Sequence, residues 1–195
     1  IKYDSSGGIS MSSIIRVDNI QTSTGGTATA SGLGIGGIGK IGQVVSTEFT
    51  TTASSSSATP ADVSGFSATI TPTSTSSKVL VHVNVMFGFN NDAYPYILVK
   101  RNGTSIGVGA SASGVQVNTF LSGTGTSSGV TQFRSDNASK MFLDSPNSTS
   151  SLTFQVQLAS PYASLVGYIN RQGSTADANY IQRPASTITV MEVLA

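Results

Sequence analysis

The residues that could support hydrolysis in this chain are one histidine and nine carboxylates. Enzymes that cleave polysaccharides use two carboxylates, one as the general acid and the other as nucleophile or base. The carboxylates are Asp4, Asp18, Glu48, Asp62, Asp92, Asp136, Asp144, Asp177 and Glu192. Most of them lie in segments typical of turns, such as NNDAYP, RSDNAS, LDSPN and TADAN, where Asp commonly caps its own backbone. A polysaccharide-cleaving enzyme, that is, a glycan depolymerase, is therefore only a minor alternative among the interpretations of this sequence, and we expect no enzymatic activity.

The histidine, His82, lies in the segment VLVHVNV, on the strand face opposite the valines. We expect it to form a hydrogen bond on a sheet face or at a subunit contact. One histidine and no cysteine cannot build the usual multi-histidine or thiolate metal sites. The sequence also lacks a calcium loop and a phosphate-binding glycine motif. We predict no catalytic residue, no metal site and no cofactor.

Tyrosines beside loops rich in Asn, Ser and Gly are the best candidates for ligand contact. Aromatic rings stack on sugars, and neighbouring hydroxyl and amide groups bond to the sugar hydroxyls. The alternative is that these aromatic residues, with Phe120, plug the ends of the fold. The candidate glycan or receptor contacts are Tyr94, Tyr96, Tyr162, Tyr168 and Tyr180.

The elements that carry these residues are β-strands. The segment KVLVHVNVMFGF alternates apolar and other residues at a period of two, and Asn102-Gly103 between two apolar runs predicts a type I′ hairpin. The predicted strands are Gly42–Thr50, Phe66–Thr71, Lys78–Phe89, Tyr94–Arg101, Ser105–Ala110, Val115–Leu121, Val130–Arg134, Lys140–Leu143, Ser151–Ala159, Leu165–Asn170 and Ser186–Leu194. So many strands predict an all-β, antiparallel β-sandwich of jelly-roll type.

Charge and composition narrow the partners. The formal net charge is +1 and the basic residues are scattered, so we expect no nucleic-acid binding. No run of about 18 apolar residues is present, so we expect no membrane insertion. The absence of cysteine suits a protein made in a reducing cytoplasm.

The first part of the chain differs from the rest. Residues 1–43 are predicted to form an extended N-terminal stem, and residues 44–195 the sandwich head. Met11 is either a natural start, with residues 1–10 an extension, or an internal residue. In LGIGGIGKI, apolar residues spaced among glycines either pack along a trimer axis or anchor a flexible linker: Leu33, Ile35, Ile38 and Ile41.

Five motifs in order resemble the C-terminal domain of tail-fibre and other virion structural proteins of marine bacteriophages, including cyanophages. They are SSKVLVHVNVMFGF, ILVKRNGTSIGVG, MFLDSPNSTSSLTFQVQL, GYINR and STITVMEVLA. The segment MSSIIRVDNIQTSTGG is similar to the starts of such proteins. The resemblance implies a homotrimeric virion component with a β-sandwich head, and it supplies no ligand residues.

Taken together, these features predict a virion structural protein, a short tail fibre or fibre tip that mediates attachment to the host surface. It would be made in the host cytoplasm and displayed on the extracellular particle. The N-terminal segment would bind other virion proteins, and the head a host-surface glycan. The alternatives are a capsid-surface decoration protein with a purely architectural role and, less favoured, the depolymerase or a bacterial adhesin module.

Overall fold

The computed structural model of the protein describes residues 40–90, 93–110, 114–123, 131–162 and 165–194. The chain divides into two units after Ile38, and these residues all belong to the second. Within them one 3₁₀ turn, Thr131–Phe133, accompanies eleven strands. The strands are β1 (Ile41–Phe49), β2 (Ala53–Ser55), β3 (Ala61–Ile70), β4 (Lys78–Phe89), β5 (Tyr96–Arg101), β6 (Thr104–Ile106), β7 (Leu121–Ser122), β8 (Ser135–Asp144), β9 (Leu152–Ala159), β10 (Gly167–Ile169) and β11 (Ser186–Val193).

Alternation along the strands determines which side chains form the core. In β4 every second residue from Val79 is fully buried, while the residues that alternate with them, Leu80, His82, Asn84 and Met86, are half-buried on the outer face. β9 contributes its own alternate residues from the facing sheet, including Phe154. Burying a side chain of this size stabilises the fold by about 1.5–3 kcal/mol, so the two inner faces hold the sheets together.

The strands form two antiparallel sheets that pack against each other. The six-stranded sheet has the order β1-β11-β4-β10-β2, with β8 on the other edge of β4, and the five-stranded sheet has the order β3-β9-β5-β6, with β7 beside β5. When the short strands β2, β7 and β10 are left out, the strand order is β1-β11-β4-β8 in one sheet and β3-β9-β5-β6 in the other. This is the arrangement of an eight-stranded jelly roll, and the predicted sandwich is confirmed.

Several predicted strands coincide with the observed ones, and β4 spans the predicted residues. Asn102 and Gly103 form the predicted hairpin turn, with φ angles of 44° and 89°. The predicted strand Val115–Leu121 is wrong, since only Leu121 joins a strand, in β7. The strand predicted at Val130–Arg134 is also wrong, because residues 131–133 form the 3₁₀ turn. Of the first segment only the end pairs with another strand, where Leu121 lies opposite Ile97 of β5, and β-structure depends on such pairing more than on local propensity.

The two ends of the sandwich are distinguished by β4. At the proximal end β4 begins at Lys78, which lies opposite Val193 of β11, and Val193 in turn lies opposite Ile41. At the distal end β4 finishes at Phe89, opposite Gly167 of β10. The twelve residues of β4 span about 36 Å at about 3.3 Å per residue. The described chain therefore enters the domain far from the loops of the distal end.

The free edge of the six-stranded sheet carries charges that point inward. Among the described strands β8 pairs only with β4. Asp144 of β8 forms an ion pair of 2.6 Å with Arg101, and the ammonium of Lys140 lies 4.8 Å from the centre of the Phe120 ring. Inward charges of this kind disfavour pairing with the edge of another sheet, so β8 is protected from aggregation through its edge.

A buried carboxylate ties β1, β11 and the β3–β4 loop together at the proximal end. Glu192 is fully buried and accepts hydrogen bonds from Gln43 Nε2 at 2.7 Å, from the Thr73 backbone N–H at 2.6 Å and from the Thr73 hydroxyl at 2.7 Å. Burial raises the pKa of this carboxyl, but the hydrogen bonds together outweigh burial and lower the pKa to about 2. Glu192 is therefore charged in the folded protein at neutral pH.

Candidate functional site

Two of the predicted tyrosines form the wall of a pocket at the distal end. Tyr94 precedes β5, and Tyr96 is its first residue. The pocket has a volume of about 280 Å³ and is lined by Tyr94, Tyr96, Val117, Thr119, Ser122, Gly123 and Pro161. The carbon surfaces come from rings and Val117, and the hydroxyl groups come from Thr119 and Ser122. None of these lining residues is charged.

A third predicted tyrosine, Tyr162, packs against Tyr94 of the pocket wall without itself lining the pocket. The rings of Tyr94 and Tyr162 pack edge to face, with centroids 6.2 Å apart and planes at 68°. Tyr94 is 43% exposed and Tyr162 is 56% exposed. An edge-to-face pair is a favoured aromatic geometry, so the two rings support each other while leaving surface open to a ligand.

Tyr96 has a structural role at the base of the pocket. It is buried, and its hydroxyl donates a hydrogen bond of 3.0 Å to the carbonyl of Ala58 in the β2–β3 loop. Burial raises the pKa of the Tyr96 phenol, so the group stays protonated and keeps donating. Tyr96 was predicted to contact a ligand, and only the portion of the residue that faces the pocket is available for such a contact.

A second, more polar depression lies between the edges of the two sheets, close to the same end. It has a volume of about 500 Å³ and is lined by β2, the start of β3 and the connecting residues Thr51 and Thr52. Ser54, Ser55 and Ser64 add further hydroxyl groups. The β2–β3 loop that holds the Tyr96 hydroxyl joins two strands that line this cleft. A ligand rich in hydroxyl groups therefore has two neighbouring surfaces of different polarity.

The remaining predicted aromatic residues lie apart from the pocket. Tyr168 of β10 packs under the guanidinium of Arg171, which is 4.4 Å from its ring centre. Tyr180 is exposed and packs edge to face on Phe133, with centroids 5.8 Å apart. Phe120 is buried, as the plugging alternative predicted. The structure thus brings together Tyr94, Tyr96 and Tyr162, while Tyr168 and Tyr180 belong to separate surfaces of the distal half.

Four of the six carboxylates that the structure describes are engaged in structural contacts. Asp136 pairs with Arg134 at 2.7 Å, and Asp62 accepts a hydrogen bond of 2.6 Å from Gln157. With the Arg101–Asp144 pair and the buried Glu192, these contacts explain most of the acids that the structure describes. Among the same residues, no group of three or more His, Asp or Glu side chains could hold a metal ion.

The histidine lies in a different sheet from the serine of a Gly-x-Ser-x-Gly motif. His82 Nε2 lies 2.8 Å from the Ser139 hydroxyl on the outer face of the six-stranded sheet, as predicted for a hydrogen-bonded histidine. The segment GTSIG, residues 103–107, matches the pattern Gly-x-Ser-x-Gly, which sequence reasoning overlooked. Its serine, Ser105, is an exposed residue of β6 in the other sheet, and no helix follows it directly. A nucleophile elbow needs a strand-to-helix turn, so this match has no catalytic geometry.

The predicted axis residues fall mostly outside the described part of the chain. Leu33, Ile35 and Ile38 lie in residues 1–39, so the trimer-axis prediction stays a prediction for them. Ile41 is the first residue of β1, where it is 48% exposed. Residues 41–43, which the prediction assigned to the stem, therefore belong to the first strand of the sandwich. In the portion of the chain that the structure describes, no helix is long and apolar enough to cross a membrane.

Comparison with known proteins does not identify a family for this chain. No protein-family model matches the chain, and no curated protein matches its sequence.

Proposed function

We propose that this chain is a structural protein of a bacteriophage particle, a short tail fibre or fibre tip that attaches the particle to the host surface. The observation that carries the proposal is the position of the tyrosine pocket. The pocket lies at the distal end, whereas the described chain enters at the proximal end, about 36 Å away along β4. An attachment protein needs one end for the particle and a free end for the host.

The fold is compatible with this role. Jelly rolls occur in viral capsid and lectin domains, although such a fold-level analogy does not assign a function by itself. The N-terminal residues would bind other virion proteins and hold three chains together as a homotrimer on the particle surface. The head would act by binding and not by catalysis.

The ligand that suits the pocket is a host-surface glycan. A sugar has a C–H face, which can lie on the rings of Tyr94 and Tyr162, and hydroxyl groups, which can bond to Thr119 and Ser122. Since the lining residues are uncharged, we expect a neutral sugar to bind better than an acidic one. A pocket of about 280 Å³ holds a small group, so each head would bind weakly and three linked heads would bind strongly.

Binding to arrayed bacterial surface polysaccharides tests this proposal. The double variant Tyr94→Ala with Tyr162→Ala removes the exposed ring that lines the pocket and the exposed ring that packs against it. We expect it to lose at least about tenfold in affinity, corresponding to about 1.4 kcal/mol. Tyr180→Ala removes an equally exposed tyrosine outside the pocket and serves as the matched control. Equal binding by the double variant and the control would contradict the site.

A purely architectural decoration protein is the second candidate. The small size of the pocket favours it, since many receptor sites are larger. It predicts no binding to any surface polysaccharide by the unmodified chain, together with stable incorporation into the particle. Labelling the chain and locating it on capsid or tail by electron microscopy separates the two roles.

A further inference from the structure

The outer face of the six-stranded sheet carries an apolar band that the fold does not cover. Four residues that lie side by side across β1, β11, β4 and β8 form its central row: Val44, Met191, Leu80 and Leu143. Met141 flanks this row on one side, and Ile41 with Val193 flank it on the other. Val44 is 55% exposed, Met141 57% and Leu143 45%. These seven residues are the apolar band.

The opposite outer face of the same sandwich is polar. On the five-stranded sheet, Thr69 lies opposite Thr153, and their hydroxyls are 2.9 Å apart. Gln155 pairs with Lys100 on the next strand. Both faces are built by the same alternation, so strand structure alone does not require the apolar residues. On the five-stranded face the half-buried Leu98 is an apolar exception, whereas on the six-stranded face apolar residues form a continuous row.

We propose that the apolar band packs against a second copy of this chain. The first argument is the path of the polypeptide. The band contains Ile41, so residues 1–39 join the domain at the edge of the band. Any association of chains through those residues would raise the effective concentration of the bands of different copies for one another. This inference concerns the partner of the sheet face, and it holds whether or not the distal pocket binds a glycan.

The second argument is chemical. The central row contains no charged side chain, and the row beside it is Ser46, Thr189, His82 and Met141. Lys78 lies beside Val193 at one border of the band, and Glu48 lies one row beyond Ser46 on the other side. An uncharged surface of this kind can meet another copy of itself without burying an unpaired charge, which would be costly.

The third argument is area. Strands about 4.8 Å apart and outward positions about 6.7 Å apart give about 32 Å² for each position, so the seven band residues cover roughly 225 Å². A stable interface buries about 800 Å² on each partner. The band thus supplies less than a third of what is needed, and the remainder must come from contacts elsewhere in the chain. We therefore expect contact between bands in an assembly held together by further contacts, and not a tight pair formed by the band alone.

Photocrosslinking of the full chain tests the proposal directly. Because the chain contains no cysteine, Leu143→Cys provides one site for a benzophenone maleimide in the band. Thr153→Cys provides the matched site on the polar face. After irradiation, we expect covalent dimers on a denaturing gel from Leu143→Cys and essentially none from Thr153→Cys.

A second substitution checks that the crosslink reports this interface. Met141→Lys, combined with Leu143→Cys, places a charge in the band and should lower the dimer yield at least about tenfold. Thr69→Lys, combined with Leu143→Cys, should leave the yield unchanged. Circular dichroism confirms that each variant is folded.

Two outcomes would overturn the proposal. If Leu143→Cys gives only crosslinks within one chain, residues of the same chain cover the band. If it gives no crosslink, or the same dimer yield as Thr153→Cys, the band is free in solution.

Discussion

The two outer faces of the sandwich have the same backbone pattern but different side chains. The face of the six-stranded sheet carries Val44, Leu80, Met141 and Leu143 across its strands, whereas the face of the five-stranded sheet carries Thr, Gln and Lys. Both inner faces, by contrast, contribute to one buried apolar cluster, and their charged groups, such as Glu192 and the Arg101–Asp144 pair, are engaged in contacts. We infer that the core residues determine the fold, whereas the composition of each outer face depends on what that face contacts.

The largest effect should come from the inner faces, where the two sheets are equivalent. Phe87 of β4 and Phe154 of β9 are both fully buried. Each substitution, Phe87→Ala and Phe154→Ala, should lower the free energy of unfolding by about 3–5 kcal/mol, because it leaves a cavity. Denaturant titration measures both values. If one of them is below about 1 kcal/mol, the sheets do not share the core equally.

A smaller effect, confined to the six-stranded sheet, should follow from Glu192→Ala. The change leaves the donors of Gln43 and Thr73 without their charged acceptor, so we expect a loss of about 2–3 kcal/mol in unfolding free energy. Glu48→Ala, at an exposed carboxylate on β1, is the control and should change little. In the Glu192→Ala variant, hydrogen exchange should accelerate relative to the unmodified chain, and it should do so more in β1 and β11 than in β3 and β9. Uniform acceleration across both sheets would contradict this localisation.

The same carboxylate predicts acid sensitivity. The pKa of Glu192 is lowered in the folded protein from 4.5 to about 2, so its contribution is present above pH about 4.5 and is lost as the pH falls toward 2. Unfolding measured across this window should show a steeper pH dependence for the unmodified chain than for Glu192→Ala. Identical slopes would show that the carboxylate does not contribute.

The hairpin of the five-stranded sheet should respond to a single methyl group. Gly103 has a φ of 89°, so Gly103→Ala should lower the unfolding free energy by about 1 kcal/mol or somewhat more. Gly109→Ala, at an exposed glycine with open space for a Cβ atom, is the control. Thermal unfolding distinguishes them, and an equal effect of both substitutions would contradict a requirement for the left-handed turn.

The smallest effect on stability should come from the apolar band. Met141→Ser and Leu143→Ser each change an exposed side chain, so each substitution should shift the free energy of unfolding by no more than about 0.5 kcal/mol. The measurement is made at low protein concentration, where the chains are separate. A loss of several kcal/mol would mean that the band is part of the fold and not an interface.

The alternation of residues made the inner faces and the hairpin predictable from sequence. Valines at a period of two defined β4, and Asn102-Gly103 defined the turn of the β5–β6 hairpin, because both signals act locally. The pocket was predictable only as a set of tyrosines, since the meeting of Tyr94 with Tyr162 depends on how distant loops fold together. The apolar band was not predictable, because Val44 and Leu143 come to lie in one row only when β1, β11, β4 and β8 are placed side by side.

The mass of the full chain in solution tests most directly the claim that several heads act together in attachment. Light scattering should give three times the 19.9 kDa of one chain in the concentration range used for binding. A mass of 19.9 kDa at every concentration would contradict the account, and would leave a single carbohydrate-binding head as the simplest alternative.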